Sequence, residues 1–333
     1  MTVAAWTGLI ALVALVAVGI GLVLFTRNVA RKVELAVPAE GRFADVDGHR
    51  LHYVDTAEGD PDAAGKPALL LVHGLGAQLQ HMTHSLLDRL SGEFRVIAVD
   101  RPGTGWSTRP KGSSHGLRAQ AQTLSRFIET LGLDRPVVVG HSLGGGVALA
   151  LGLDHPEHTR GLVLVAPLTQ PTDDVPEIFQ ALAIRNAARR RLTAWTLATP
   201  MGIRHGEAVR DFAFGPETAP ADFDRRGGAL LGLRPGSFET ASADLVAIPD
   251  ELPAMAARYG DLAVPVAVIH GADDAIIPAK TARLFGERTG APVEIIEGAG
   301  HMIPITRADE VGNWIETHAR AWFAGSEVRA DVA

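Results

Sequence analysis

The 333-residue chain contains no cysteine, two tyrosines and only 5% aromatic residues. Without cysteine there are no disulfides, thiolate nucleophiles or zinc–thiolate sites, although the redox compartment stays open. Basic runs long enough to hold nucleic acid are also missing, and the formal charge is −7 with a pI near 6.0, so no electrostatic footprint for nucleic acid exists. Internal repeats are absent. What the chain has is apolar mass, 47% of its residues. Its length suits one large α/β domain with an insertion, or two small domains.

The first charged side chain is Arg27, and Leu9 to Phe25 is almost continuously apolar. As a helix, about 20 such residues cover the roughly 30 Å hydrocarbon core of a bilayer. A cleaved signal peptide has Lys or Arg before a shorter apolar run, then a small-residue cleavage site. Here Arg27, Arg31 and Lys32 follow the run instead. The pattern predicts a single-pass transmembrane helix over residues 1–26 and a juxtamembrane linker over 27–41, ended by Pro38 and Gly41. The positive-inside rule favours a cytoplasmic place for the remainder.

One stretch organises that remainder: Val137-Val138-Val139-Gly140-His141-Ser142-Leu143-Gly144-Gly145-Gly146. A β-branched run passes at once into Gly-x-Ser-x-Gly and then into helix-prone Val147 to Leu151. A strand turning directly into a helix strains the corner residue, and side chains two positions either side would collide. Gly140 and Gly144 supply the space, Ser142 takes the corner, and the helix start aims backbone N–H groups at its hydroxyl.

Around this corner the chain alternates strand and helix. Phe43 to Val46 and Arg50 to Thr56 flank the turn Asp47-Gly48. Ala68 to Val72, Phe94 to Val99 and Gly161 to Val165 read as buried strands, with helical patterns at Gln78 to Leu90 and Gly116 to Leu131. From Thr169 to Leu262 no strand pattern occurs. Helical pieces there are expected at Val175 to Arg191, Leu192 to Ala198, Glu207 to Phe214 and Ser237 to Arg258. Val264 to His270, Lys280 to Arg288, Val293 to Ile296 and Arg307 to Phe323 resume the rhythm, and 324–333 is a tail. The fold class is therefore α/β, a mainly parallel doubly wound sheet. Its core, 42–168 and 263–323, is split by a helical insertion at 169–262.

A serine hydroxyl near pH 7 needs a base, and the base needs an orienting acid. Downstream of Ser142, Asp273-Asp274 follows one strand and Gly298-Ala299-Gly300-His301 follows the next. Both fall at the strand ends where active sites of open α/β sheets gather. The chain order Ser, Asp, His is one of the known solutions.

Five motifs then stand in family order: His73-Gly74-Leu75-Gly76, Asp100-Arg101-Pro102-Gly103-Thr104-Gly105-Trp106-Ser107, Gly140 to Gly145, Gly271-Ala272-Asp273-Asp274 to Pro278, and Gly300-His301. On these the chain resembles the α/β-hydrolase fold superfamily, in its cap-bearing serine esterase and hydrolase branch, from about Phe43 to Phe323. The resemblance implies that Ser142 attacks, His301 shuttles the proton and an aspartate orients His301. The family's spacing from glycine to proline selects Asp274, with Asp273 as the alternative. It further implies an oxyanion hole from the backbone N–H groups of Leu75 and Leu143, a cap made by the insertion, and no metal or organic cofactor.

His73, Gly74, Trp106 and His141 are the candidate substrate-pocket residues. His73 and His141 also read as structural neighbours of the oxyanion loop and the serine, and Trp106 as core. Asp100 reads as a loop-fixing carboxylate. His81 and His84 lack a further ligand at metal spacing and are expected at the surface or the pocket edge. Gly103-Thr104-Gly105 is not a dinucleotide fingerprint. Arg189-Arg190-Arg191 reads as a solvated helix face, with phospholipid headgroup contact as the sharper reading.

The function expected is a membrane-anchored serine hydrolase of carboxylic esters. Phe179, Leu182, Trp195, Phe212, Phe214 and Phe238 of the insertion suggest a hydrophobic substrate. A carbon–carbon bond hydrolase of dienoic ring-cleavage products, a lactonase, an amidase or a perhydrolase would use the same triad. Epoxide hydrolases and haloalkane dehalogenases of this fold carry aspartate where Ser142 stands. A non-catalytic binding protein on the same scaffold is the reading of another class. The expected partners are a small-molecule ester and a lipid bilayer, not nucleic acid; oligomeric state is left open.

Overall fold

Eight strands form, the central ones from leucine- and valine-rich runs: β1 (Arg42–Val46), β2 (His49–Asp55), β3 (Ala68–Val72), β4 (Arg95–Val99), β5 (Val137–His141), β6 (Gly161–Val165), β7 (Val266–Gly271) and β8 (Val293–Ile296). The computed structural model describes residues 2–171 and 177–325. The strands make one sheet in the order β1-β2-β4-β3-β5-β6-β7-β8. β2 runs antiparallel to β1 and β4, and every pair from β4 to β8 is parallel. The chain turns from β3 to β4 on one side and reaches β5 on the other. That reversal opens a crevice at the carboxyl ends of β3 and β5.

Side chains alternate across a strand, and here both faces are apolar. Leu70, Val72, Ile97, Val138, Leu164 and Val268 point into one core, closed by the helices Leu117–Thr130, Leu143–Asp154 and Lys280–Thr289. Leu69, Leu71, Val96, Val139, Val163 and Ile269 point into the other, closed by Gln80–Leu90 and Ala308–Phe323. The helix Leu143–Asp154 is buried on almost every side, which fixes the corner at its start between two layers.

Between β6 and β7 the described residues hold no strand. A helical run from Ala187 to Phe214 passes through a π turn at Ala194–Ala198, and a further helix spans Pro235–Ala257. The expected break between Ala198 and Glu207 does not occur. Pro200 follows directly on the π turn, an irregularity of the hydrogen-bond ladder inside the run.

A second difference lies at the N-terminus. The expected linker 27–41 is helical as far as Ala36, in one helix Val3–Ala36 of 34 residues, about 51 Å at 1.5 Å per residue. Neither Pro nor Gly interrupts residues 22–36, and Thr26 and Val33 are buried against the insertion, chiefly Ala194–Ala198 and Ala229–Leu233. Packing therefore continues the helix past the end of the apolar run. Met1, the start of the expected helix at Val175, and 326–333 of the expected tail lie outside the described residues.

Candidate active site

Ser142 joins β5 to the helix Leu143–Asp154 with φ 54° and ψ −121°. Such a backbone costs a non-glycine residue about 1–3 kcal/mol, so its surroundings must hold it. The Ser142 N–H donates to the Val165 carbonyl at 3.0 Å, and the Ser142 carbonyl accepts from Gly145 and Leu168 at 2.9 and 3.0 Å. A Cβ on Gly140 would stand 2.5 Å from the Gly144 carbonyl oxygen, and one on Gly144 would stand 2.3 Å from that of Val72. The glycines at these two positions are demanded by contact, as the sequence pattern predicts. Gly74 at the end of β3 is equally constrained, since its Cβ would lie 2.9 Å from that of Ser142.

His301 reaches this corner from the loop after β8, and Asp274 from the loop after β7. Their side chains meet at 2.7 Å, His301 Nδ1 to Asp274 Oδ2. Asp273 is exposed, whereas Asp274 is buried. The other Asp274 oxygen accepts the N–H groups of Ile276 and Ile277, each at 2.8 Å. Sequence reading missed one further partner: His270 Nε2 lies 3.1 Å from Asp274 Oδ2 and 2.7 Å from the Ile277 carbonyl. Burial alone would raise the Asp274 pKa. The neighbouring His301, then hydrogen bonds from His270 and His301, outweigh it and hold the carboxyl well below the usual range.

Ser142 opens into a cavity of about 650 Å³ beneath the insertion, within the range of small-molecule sites. Leu75 and Leu143 flank the serine there, and Phe179, Leu245, Ile248 and Leu252 form apolar wall. Gln170, Lys280 and Thr281 are its other polar lining residues among those described. Leu143 opens its helix, so its N–H has no intrahelical acceptor. The Leu75 N–H makes no backbone hydrogen bond among the described residues.

None of the four candidate pocket residues lines this cavity. Gly74 is spent on the close approach to Ser142. His73 is buried, with Nδ1 on the Gly74 carbonyl and Nε2 taking the Arg101 N–H at 3.0 Å. Burial and the Arg101 charge push its pKa well down. His141 turns from the cavity to the His301 carbonyl, which it meets through Nε2 at 3.0 Å. Burial, with His301 beside it, lowers its pKa to about 3. Trp106 lies under the Arg234 guanidinium, 4.9 Å from its ring centre.

Other expectations resolve similarly. Asp100 fixes its loop through the N–H groups of Leu79 and Trp106 and through His52. Neither His81 nor His84 lines the cavity: His84 is buried and pairs with Asp222 at 3.0 Å, and the partly exposed His81 packs its ring 5.0 Å from that of Phe223. Of the six apolar insertion residues named from sequence, Phe179 alone lines the cavity. Phe214 packs with Phe223, Met302 and Ile305, while Phe212 is exposed.

Two ties between insertion and sheet had no sequence signal. Arg101, fully buried, donates to the carbonyls of His73 and Gly74 at 3.0 and 2.8 Å and to Asp244 of the insertion at 2.8 Å. It thus grips the loop that carries Leu75. Glu217 of the insertion accepts the Gly300 N–H at 3.1 Å, the Thr306 hydroxyl at 2.8 Å and Arg307 Nε at 2.6 Å, bracing the loop of His301.

A family model described as the alpha/beta hydrolase fold matches residues 67–308. The chain is 29% identical to the dihydrolipoyllysine-residue acetyltransferase component of the acetoin cleaving system of Cupriavidus necator, over 83% of this chain and 68% of that one. It is also 29% identical to a 2-hydroxy-6-oxononadienedioate/2-hydroxy-6-oxononatrienedioate hydrolase of Burkholderia vietnamiensis, over 76% and 84% of the two. Among solved structures, a bacterial membrane phospholipase A is similar in fold, with a TM-score of 0.63, 22% identity and coverage of 96% and 97%.

Proposed function

The chain belongs to the alpha/beta hydrolase fold family, and from that premise we propose that it is a membrane-anchored serine hydrolase of hydrophobic carboxylic esters. One observation carries the reading: the strained Ser142 and the buried Asp274–His301 pair lie at the carboxyl edge of one sheet, and Ser142 borders an apolar cavity.

An ionised Asp274 accepts only, so His301 Nδ1 carries the proton and Nε2 is free to act as base. Ser142 Oγ attacks the ester carbonyl as Nε2 takes its proton. The proton then passes to the departing alkoxide, leaving an acyl-enzyme. Water, deprotonated by the same nitrogen, releases the acid and restores the serine. The oxygen that turns negative in each step is assigned to the N–H groups of Leu75 and Leu143, where loss of one donor typically costs ~10²–10³ in rate. The insertion acts as a cap that selects the substrate. Val3–Ala36, with a mean hydropathy of 2.9 over 18 uncovered residues, is the anchor.

The test is turnover of p-nitrophenyl esters from acetyl to long acyl chains, by the full-length protein in detergent and by Ser142→Ala. Serine-dependent hydrolysis that improves beyond acetate is expected. A folded protein that cleaves only a ring-cleavage dienoate would move the reading to carbon–carbon hydrolysis, the activity in the name of the Burkholderia relative. Failure of Ser142 to react with a fluorophosphonate would point to a binding protein.

A further inference from the structure

We propose that the outer face of the insertion's long helical run is a lipid-docking surface, resting on the same bilayer as the N-terminal helix. The inference builds on the anchor reading above and adds a second, independent point of membrane contact. Along Thr199–Phe214 one side faces the protein: Thr199 is buried, Gly202, Gly206, Arg210 and Ala213 are half-buried, and Gly202 abuts Leu233. The other side is bare. Met201 is 51% exposed, Val209 45% and Phe212 42%; Ile203, also 51% exposed, lies off this stripe, and Leu192 and Leu197 are exposed earlier in the run. At about 100° per residue, Met201, Val209 and Phe212 fall within about 80° of one another. Single exposed apolar residues need no explanation, but several sharing one face do.

Two observations name a bilayer as the occupant. Along this stretch exposed Arg185, Arg189, Arg191 and Arg204 outnumber exposed Glu207 and Asp211, a cationic excess of the kind interfacial helices direct at anionic headgroups. The patch is also continuous with the N-terminal helix, which packs on Ala194–Ala198, Thr199–Phe214 and Ala229–Leu233. The covered face of that helix begins at Leu22, Val23 and Thr26, inside the uncharged run that ends before Arg27. Segments seated against the last turns of a spanning run stand at membrane-interface depth. Their outward side then meets headgroups and the first acyl carbons. The docked surface is thus an anionic glycerophospholipid bilayer.

The absence of cysteine makes the test direct. Single cysteines are introduced into the full-length chain at Met201→Cys, Val209→Cys, Leu12→Cys in the anchor, and Asp134→Cys at the opposite edge of the sheet. Each is labelled with an environment-sensitive fluorophore and reconstituted into phosphatidylethanolamine–phosphatidylglycerol vesicles carrying spin-labelled lipid. Quenching at Leu12, Met201 and Val209, but not at Asp134, is expected. Quenching at Leu12 alone overturns the docking and keeps the anchor. Quenching at Met201 and Val209 without Leu12 keeps the docking and overturns the anchor. A shielded Met201 label that lipid never quenches, and that becomes exposed when the protein is diluted in the bilayer, assigns the face to a second copy of the chain and overturns the proposal.

Discussion

At the carboxyl edge of the sheet, Ser142, Asp274 and His301 stand one to five residues beyond strand ends, and Asp274 and His301 share a hydrogen bond. In the insertion, the groups that touch this edge, Asp244 and Glu217, meet partners 143 and 83 residues away in the chain. The first arrangement is fixed by backbone: a strand ends, a tight turn follows, and the side chain has one place to go. The second is fixed by side chains reaching across an interface. Position at the sheet edge is therefore local, and position in the insertion is tertiary.

The sharpest way to break that contrast is at Asp274. Asp274→Asn should lower turnover by about 10⁴, because an amide that offers its N–H to His301 favours the wrong tautomer. Asp273→Asn, at an exposed neighbour, should change turnover less than tenfold. Steady-state kinetics on a p-nitrophenyl ester reads both. Equal losses would mean that the edge does not discriminate adjacent residues, and the local account would fail.

The next effect belongs to the interface. Arg101, Arg109 and His115 all face Asp244, at 2.8, 3.4 and 2.9 Å. Burial alone would raise the Asp244 pKa, but Arg101, His115 and Arg109 together lower it. Asp244→Asn would leave the buried Arg101 guanidinium without its countercharge, at a cost of about 3–5 kcal/mol. Denaturant unfolding should register that loss. A change below 1 kcal/mol would show that the insertion is not latched there.

These ties explain what could be read from the chain and what could not. The strand-to-helix corner was legible because Gly140, Ser142 and Gly144 obey one steric rule within five residues. The preference for Asp274 over Asp273 came from a family spacing, and the geometry puts Asp274 alone against His301. Arg101 was visible within a motif, but its grip on Asp244 was not, since no local pattern announces a partner on a distant helix. The pocket assignments of His73 and His141 miscarried for a related reason. Membership of a motif at a strand end does not say which way a side chain turns, and both satisfy backbone groups instead. The linker went unrecognised as helix because its covering surface is the insertion.

Acid separates the two regions more gently. Burial, aided by neighbouring charge, holds His73 well below its ordinary pKa, His81 at about 4 and His141 at about 3. Below pH 6.5 the unfolded chain takes protons that these native imidazoles refuse. Their contribution to stability is complete above that pH and shrinks as pH falls towards the folded values. At pH 5.5 the loss is about 1 kcal/mol for each histidine. Asp274, with its lowered pKa, acts only lower, losing its contribution below the ordinary carboxylate pKa of about 4. Burial lowers His318 to about 4 as well, so denaturant midpoints should fall between pH 7.5 and 5.5, and His141→Gln should flatten the slope by roughly a quarter. An unchanged slope would mean that His141 is solvated.

The smallest expected effect tests whether the two regions communicate at all. Glu217 accepts the Gly300 N–H and holds Arg307, so it braces the residue before His301 without touching substrate. Glu217→Gln keeps an acceptor oxygen and removes the charge, weakening charge-assisted bonds that are about twice as strong as neutral ones. Since the Asp274 bond still aims His301, kcat should fall by only about three- to tenfold, with KM for a short soluble ester unchanged. The unfolding midpoint should shift little, because Glu217 lies at a partly exposed interface. A parallel rise in KM would place the effect in substrate binding beneath the insertion. An unchanged kcat would mean that the His301 loop holds its own geometry, and that the insertion affects chemistry only through the cavity it closes.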